Sequence, residues 1–316
     1  AMPSVPAVLD YLRRTGWADA VERLEMLPRN RANLEAVLQE QTREEYVRLI
    51  NFVPRGDRDL LAFPVRLAEL HGILISLRRL KAGRILEVRP LSDRFLLHSK
   101  MDYRLLTTCS DFSGIAAASG SIYAHALRQL QPEQPGALPE YNVTEMLLYT
   151  VYFSYIYRSI NRNYAGEVRS VLLKGMGQQV DLLNIIHILR LKTYFPKEQD
   201  YLPFLFPFHY RMKPAQLEEL AACATVQDAF DWLQSSPYAA AFRDVAAGGI
   251  TQVEGFYRTA MYQFHRHQVI SGLPSIGTAV SYLHLKDAEV SVLINVIESV
   301  NYGTPCDDSF ARLVGA

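Results

Sequence analysis

The stretch VDLLNIIHILRLKTYF, Val180 to Phe195, decides how this chain reads. It is apolar on nearly every side, yet it carries Asp181, Asn184, His187, Arg190 and Lys192. Asp181, Asn184, His187 and Arg190 step by three, so on a helix they form one slowly drifting polar stripe. Leu182, Leu183, Ile185, Ile186, Ile188, Leu189 and Leu191 fill most other directions, and a helix that is apolar nearly all round is a buried one. Buried polar groups need partners, a carboxylate above all. Asp181 near the start and Arg190 with Lys192 near the end also suit the two poles of the helix dipole. The stripe therefore either pins neighbouring segments in one register or forms an acid/base or metal site from Asp181, Asn184 and His187.

The same pattern recurs along the chain. AELHGILISLRRLKAG from Ala68 and AEVSVLINVIESVNYGTP from Ala288 lie over it. Each copy opens with an acid, Glu69, Asp181 or Glu289. A branched aliphatic follows at plus four (Ile73, Ile185, Leu293) and another at plus eight (Leu77, Leu189, Ile297). Each ends at a helix breaker, Gly83, Pro196, or Gly303 with Pro305. The acids are 112 and 108 residues apart, close to one period. A second motif, SIYAHAL at 121–127 and SPYAAAF at 236–242, recurs in two copies. Tyr123 precedes Asp181 by 58 residues, and Tyr238 precedes Glu289 by 51. No counterpart stands out in the first third. Because the acid recurs while His187 falls on Ser76 and Val296, the pinning reading outweighs the catalytic one.

Helical periodicity dominates elsewhere. Helices are expected over 6–27, 32–52, 64–80, 144–162, 216–233, 253–269 and 290–300, with ILEVR at 85–89 the best of a weak set of strand patterns. The fold expected is all-α. A period near 110 residues is too long for the short units of ordinary solenoids. It fits three similar helical modules, 1–90, 91–200 and 201–316, around a pseudo-threefold axis or strung in an arc.

The bulk numbers narrow the class of function. Among 316 residues, 33 Lys and Arg balance 33 Asp and Glu, which argues against broad nucleic-acid binding. Cys109, Cys223 and Cys306 are scattered and odd in number, so neither a disulfide framework nor a zinc ribbon is expected. The opening AMPSVPAVLDYLRR has no signal-peptide pattern. MLLYTVYFSYIY at 146–157 is polar-dotted and short of the roughly 18–20 residues a bilayer span needs, so no membrane crossing is expected.

Catalytic signatures are missing. There is no phosphate-binding G-x-x-x-x-G-K-[ST] and no H-E-x-x-H. LKGMGQQVDLL lacks the third glycine of a dinucleotide fingerprint. His265 and His267 point about 200° apart on a helix and are expected to be solvated. Ser275 in GLPSIGT does not fit a nucleophile elbow, and a capping role is its default. Neither cofactor nor metal is expected. The aromatic runs 149–157 and 201–210 read chiefly as core.

The residues carry a family likeness. VDLLNIIHILRLKTYF resembles the D-x-x-N-aliphatic-x-x-aliphatic-aliphatic-R-x-K helix of the C-type stalk component of the V/A-type (vacuolar/archaeal-type) ATPases, equivalent to the d-type component of the eukaryotic enzyme. SYLHLKDAEVSVLINVIESVNYGTPCDDSFARLV is similar to that family's closing segment, PLSDRFLLHSKMDYRLL to the segment after its first module, and SIYAHAL and SPYAAAF to its recurrent Thr/Ser-x-Tyr segments. Gly72 and Val292 replace the asparagine of the second copy, and Glu298 stands where an arginine-like position falls there. The resemblance implies three modules forming a funnel, with no reaction of its own. Its mouth would take the rotor stalk and its base would sit on the membrane proteolipid ring, at the cytoplasmic face and without a transmembrane span. Torque would pass through it during ATP-coupled proton or sodium transport. Glu69, Asp181, Asn184, Arg190 and Glu289 are then its structural repeat positions. Arg78, Arg79, Lys81, Arg84 and Lys192 are candidates for partner contact, with solvated helix ends as the plainer alternative. The runner-up is a helical-repeat scaffold unrelated to the ATPase.

Overall fold

The computed structural model describes residues 4–28, 30–83, 91–134, 136–195, 201–242 and 250–304. Among these there is no strand, and the fold is helical throughout. The candidate strand at 85–89 lies outside the described residues. In chain order the helices are α1 (Val5–Leu12), α2 (Ala18–Glu25), α3 (Arg31–Phe52), α4 (Arg58–Leu61), α5 (Phe63–Ala82) and α6 (Asp93–Leu96). There follow α7 (Tyr103–Thr108), α8 (Phe112–Ala118), α9 (Ala124–Gln129), α10 (Tyr141–Asn163) and α11 (Gly166–Tyr194). The last are α12 (Pro214–Ala222), α13 (Val226–Leu233), α14 (Ala239–Phe242), α15 (Ile250–Ile270) and α16 (Ile276–Tyr302).

Two of the expected helices are in fact pairs. The first breaks between α1 and α2 around Thr15, Gly16 and Trp17, where the Thr15 hydroxyl turns back to the Leu12 carbonyl at 2.6 Å. The fifth breaks after Ala222, where Thr225 caps α13 by accepting from the Asp228 amide at 3.1 Å while Asp228 answers the Thr225 amide at 3.0 Å. Such local side-chain bonds compete with helix continuation and start a new helix instead. Conversely, α11 and α16 are longer than the periodicity suggested. Gly83 and Gly303 end α5 and α16 in the left-handed conformation, at φ 59° and 64°, which glycine adopts without strain.

The chain forms two compact units. One contains residues 53–180 and 199–209. In it α5 packs on α7, α8 and α10. Gly72 brings α7 close, for a Cβ there would stand 3.2 Å from Leu106 Cδ2 and 3.4 Å from Tyr103 Cε1. An asparagine like that of the second copy would have to push the Leu106 and Tyr103 side chains aside at this position. Residues 55–82 are long and apolar enough to cross a membrane, but 67% of the most apolar window is buried inside the protein, as expected of a core helix. Met146–Tyr157 lies in α10, whose Phe153 stacks edge-on with Tyr152 and Phe206 at 5.3 and 5.1 Å.

The other unit contains residues 1–52, 181–198 and 210–316. Here α16 packs along α15 and α3 and also meets α1. One apolar core joins Val8, Leu9, Leu12, Trp17, Ala20, Val21, Leu34, Val37 and Leu38 to Val290 and Ile297. Both ends of the sequence therefore share a core. Each fully buried aliphatic side chain in it contributes about 1.5–3 kcal/mol.

Candidate functional site

The acids of the three copies all lie on long helices, and each is tied to a different segment of chain. Asp181 is fully buried. Its Oδ1 accepts from the Tyr210 amide at 3.1 Å, and its Oδ2 from the Arg211 and Met212 amides at 2.7 and 2.9 Å and from the Tyr238 hydroxyl at 2.9 Å. Four donors on one carboxylate offset the cost of taking it out of water. Burial, and after it the Asp181 carboxylate, push the Tyr238 hydroxyl well above the usual tyrosine range, which keeps it a donor. Arg211 lies over the Tyr238 ring at 5.2 Å.

The amides held by Asp181 enter α12. The far end of α12 is held by Lys192, whose Nζ donates to the Ala221 carbonyl at 2.7 Å and to that of Cys223. The acid and the cation are eleven residues apart on α11, roughly 16 Å at 1.5 Å per residue, and α12 fits between them. Lys192 thus neutralises the carbonyl end of a short helix. It is 7% exposed, and burial lowers its pKa.

The unit built on α5 has the same bracket. Glu69, also fully buried, accepts from Ser99 Oγ at 2.6 Å and Arg66 at 2.7 Å just ahead of α7. Ten residues on, Arg79 donates to the carbonyls of Thr107, Leu106 and Cys109 at the end of α7. Tyr123 donates to the Arg66 carbonyl at 2.7 Å, one turn from Glu69.

The third acid is tied differently. Glu289 Oε1 accepts from Trp17 Nε1 at 2.7 Å and Oε2 from Lys286 at 2.9 Å. Lys286 also lies 5.4 Å from the Trp17 ring centre. No cation follows at plus ten or eleven, where Ser299 and Val300 stand. Glu298 pairs instead with Arg31 at 2.9 Å.

Trp17 belongs to a stretch whose kinship the letters conceal. TGWADAV at 15–21 is a third copy of SIYAHAL and SPYAAAF, with tryptophan for tyrosine. The backbone agrees: the amide of each aromatic residue is held by the hydroxyl two residues before it. The pairs are Trp17 with Thr15 at 3.3 Å, Tyr123 with Ser121 at 3.4 Å and Tyr238 with Ser236 at 3.1 Å. The signal was legible as hydroxyl-x-aromatic-Ala-x-Ala. In space Tyr238 meets Asp181, 57 residues earlier, and Tyr123 lies by Glu69.

The remaining residues singled out in the sequence fall as follows. Asn184 is buried and His187 part-buried on α11. Arg190 pairs with Glu254 at 2.7 Å on the surface. Arg78 and Lys81 are exposed, with Arg78 over the Tyr141 ring at 4.8 Å, and Arg84 lies outside the described residues. His265 corrects its expectation. It is 5% exposed, stacks on His284 at 4.3 Å and meets Ser281 Oγ through Nδ1 at 3.1 Å. The turn before α16 brings that helix face onto α15, which the spacing of His265 and His267 did not reveal. Ser275 caps α16 as expected, accepting from the Gly277 amide at 3.2 Å. Among the described residues, no three His, Cys, Asp or Glu side chains are grouped to hold a metal ion.

The sequence model of the ATP synthase (C/AC39) subunit matches residues 1–308. The chain belongs to that family. The C/AC39 match covers all three acid-bearing helices, both tether brackets and the Trp17 segment. No curated protein matches the chain.

Proposed function

We propose that this C/AC39 protein is a non-catalytic part of the central stalk of a rotary V/A-type ATPase. It joins the rotor shaft to the membrane proteolipid ring and passes torque between them during ATP-coupled proton or sodium transport. Three helical modules arranged as a funnel would seat the shaft in the mouth and the ring at the base, on the cytoplasmic face. The family match over residues 1–308 carries this reading. The tethers support it, because a coupling part must resist twist. Buried carboxylates and cations bridging one helix to the two ends of another make a bracket that shears only by breaking several charge-assisted hydrogen bonds. Arg78 and Lys81, exposed at the end of α5, are the cations offered to a partner.

The test is reconstitution. A tagged chain is expected to retain both the shaft protein and the proteolipid ring. Complex assembled without it is expected to hydrolyse ATP with no ion uptake into vesicles. Uptake that persists without the chain, or a chain that holds neither partner, overturns the reading and favours an unrelated scaffold.

A further inference from the structure

Helices α3 and α16 run antiparallel, as two contacts fix: Arg31 meets Glu298 at 2.9 Å, and Glu45 accepts from Tyr282 at 2.6 Å. Seven residues further along each helix, Phe52 and Ser275 come to the same level. The turn from α15 to α16 lies at that level too, since His265 faces Ser281 and Ile270 is the last residue of α15. One end of this helix group therefore gathers Phe52, Ile270 and Leu273, which are 87%, 67% and 68% exposed.

The charge around them is one-sided. Residues 46–52 and 261–280 contain no Asp or Glu, in a chain where acids make up 33 of 316 residues. Arg48, Arg266 and His267 in the same stretches are exposed. The turn is also firmly built: a Cβ on Gly272 would lie 2.4 Å from the Gln268 carbonyl oxygen, and Ser275 caps the helix that follows. The turn from α10 to α11 is unlike it, for there Tyr164 is bound to Asp57 at 2.8 Å.

We propose that this tip is a lipid-contact surface, taking the headgroup region of a bilayer rich in anionic phospholipid. Phe52, Ile270 and Leu273 are large, strongly exposed apolar side chains, and such side chains enter the boundary between headgroups and acyl chains. Arg48 and Arg266 fit the phosphates, and the lack of carboxylates removes the repulsion that would oppose contact. The inference deepens the stalk reading, on which it rests, by giving the chain its own hold on the membrane beside the proteolipid ring. It is measured on the purified chain alone, so its failure is distinct from failure of the reconstitution.

Flotation with vesicles of phosphatidylcholine, with and without phosphatidylglycerol, is the experiment. The full chain is expected to float with the anionic vesicles only and to be released by high salt. Phe52→Ser combined with Leu273→Ser is expected to cut the bound fraction by about tenfold, and Arg266→Glu to cut it similarly. Tyr11→Ser, at an exposed residue of α1, should leave it unchanged; all these positions are exposed, and circular dichroism checks that each variant folds. Binding that ignores lipid charge or the tip substitutions overturns the proposal. So does retention on the isolated proteolipid ring without any vesicle binding, which would make the tip a protein contact.

Discussion

Trp17 and Glu289 are 272 residues apart in sequence, and the indole nitrogen of one donates to the carboxylate of the other at 2.7 Å. Trp17→Phe keeps most of the ring in the core and removes the donor. It is expected to cost about 1–2 kcal/mol, since the acceptor is a carboxylate that stays partly wet. Trp17→Ala adds a cavity and is expected to cost about 3–5 kcal/mol. Denaturant unfolding of the full chain reads both. A Trp17→Phe variant as stable as the parent would mean that the indole nitrogen is energetically idle.

Asp181 holds four donors, and its removal takes the acceptor from three amides and a hydroxyl, the Met212 amide and the Tyr238 hydroxyl among them buried. Asp181→Ala is expected to destabilise the chain by about 2–4 kcal/mol, and Tyr238→Phe by about 1 kcal/mol. A double-mutant cycle should show coupling between the two, because the hydroxyl donates to that carboxylate. Additive losses would show that the hydroxyl's contribution does not run through Asp181.

Lys192→Met retains the buried stem and removes the ammonium from the end of α12. The carbonyls of Ala221 and Cys223 then lose their donor, at about 1–3 kcal/mol. Hydrogen exchange should quicken in α12 ahead of the rest of its unit. Arg190→Ala, which breaks only a surface pair with Glu254, is expected to cost under about 1 kcal/mol.

His265 and His284 supply a pH dependence. Burial lowers the His265 pKa to about 2, with His284 adding to the effect, and burial lowers that of His284 to about 4. Both are below the ordinary 6.5, so the unfolded chain binds more protons through this range. Their contribution is whole above pH 6.5 and drains away as the pH falls towards 4. Melting temperature is expected to drop over that window, and less steeply in His265→Phe, which keeps an aromatic ring against His284. A variant with an unchanged pH profile would place the loss elsewhere.

The acid positions of the site are readable in the sequence. Acids at a common phase are regular along a helix, and helical regularity survives translation into a string of letters; Arg79 and Lys192, candidates for partner contact by charge alone, instead hold the carbonyls at the ends of α7 and α12. The aromatic half was harder. Tyr123 and Tyr238 were visible, but the third member is a tryptophan, and it lies at the start of the chain while its acid lies near the end. Helix breaks at Gly16 and Cys223 were hidden because the apolar period runs straight through both. The stacking of His265 on His284 depends on how α15 folds back on α16, which no spacing within either helix encodes.

That two-ended core sets an order of events in the cell. α1 to α3 leave the ribosome well before the aliphatic wall they lean on, Val290 and Ile297. Until α16 arrives, the nascent α1–α3 segment must wait with its greasy side bare, so it is a natural client for a holding chaperone. A message cut short before α16 should yield a sticky, protease-sensitive product rather than a smaller working part.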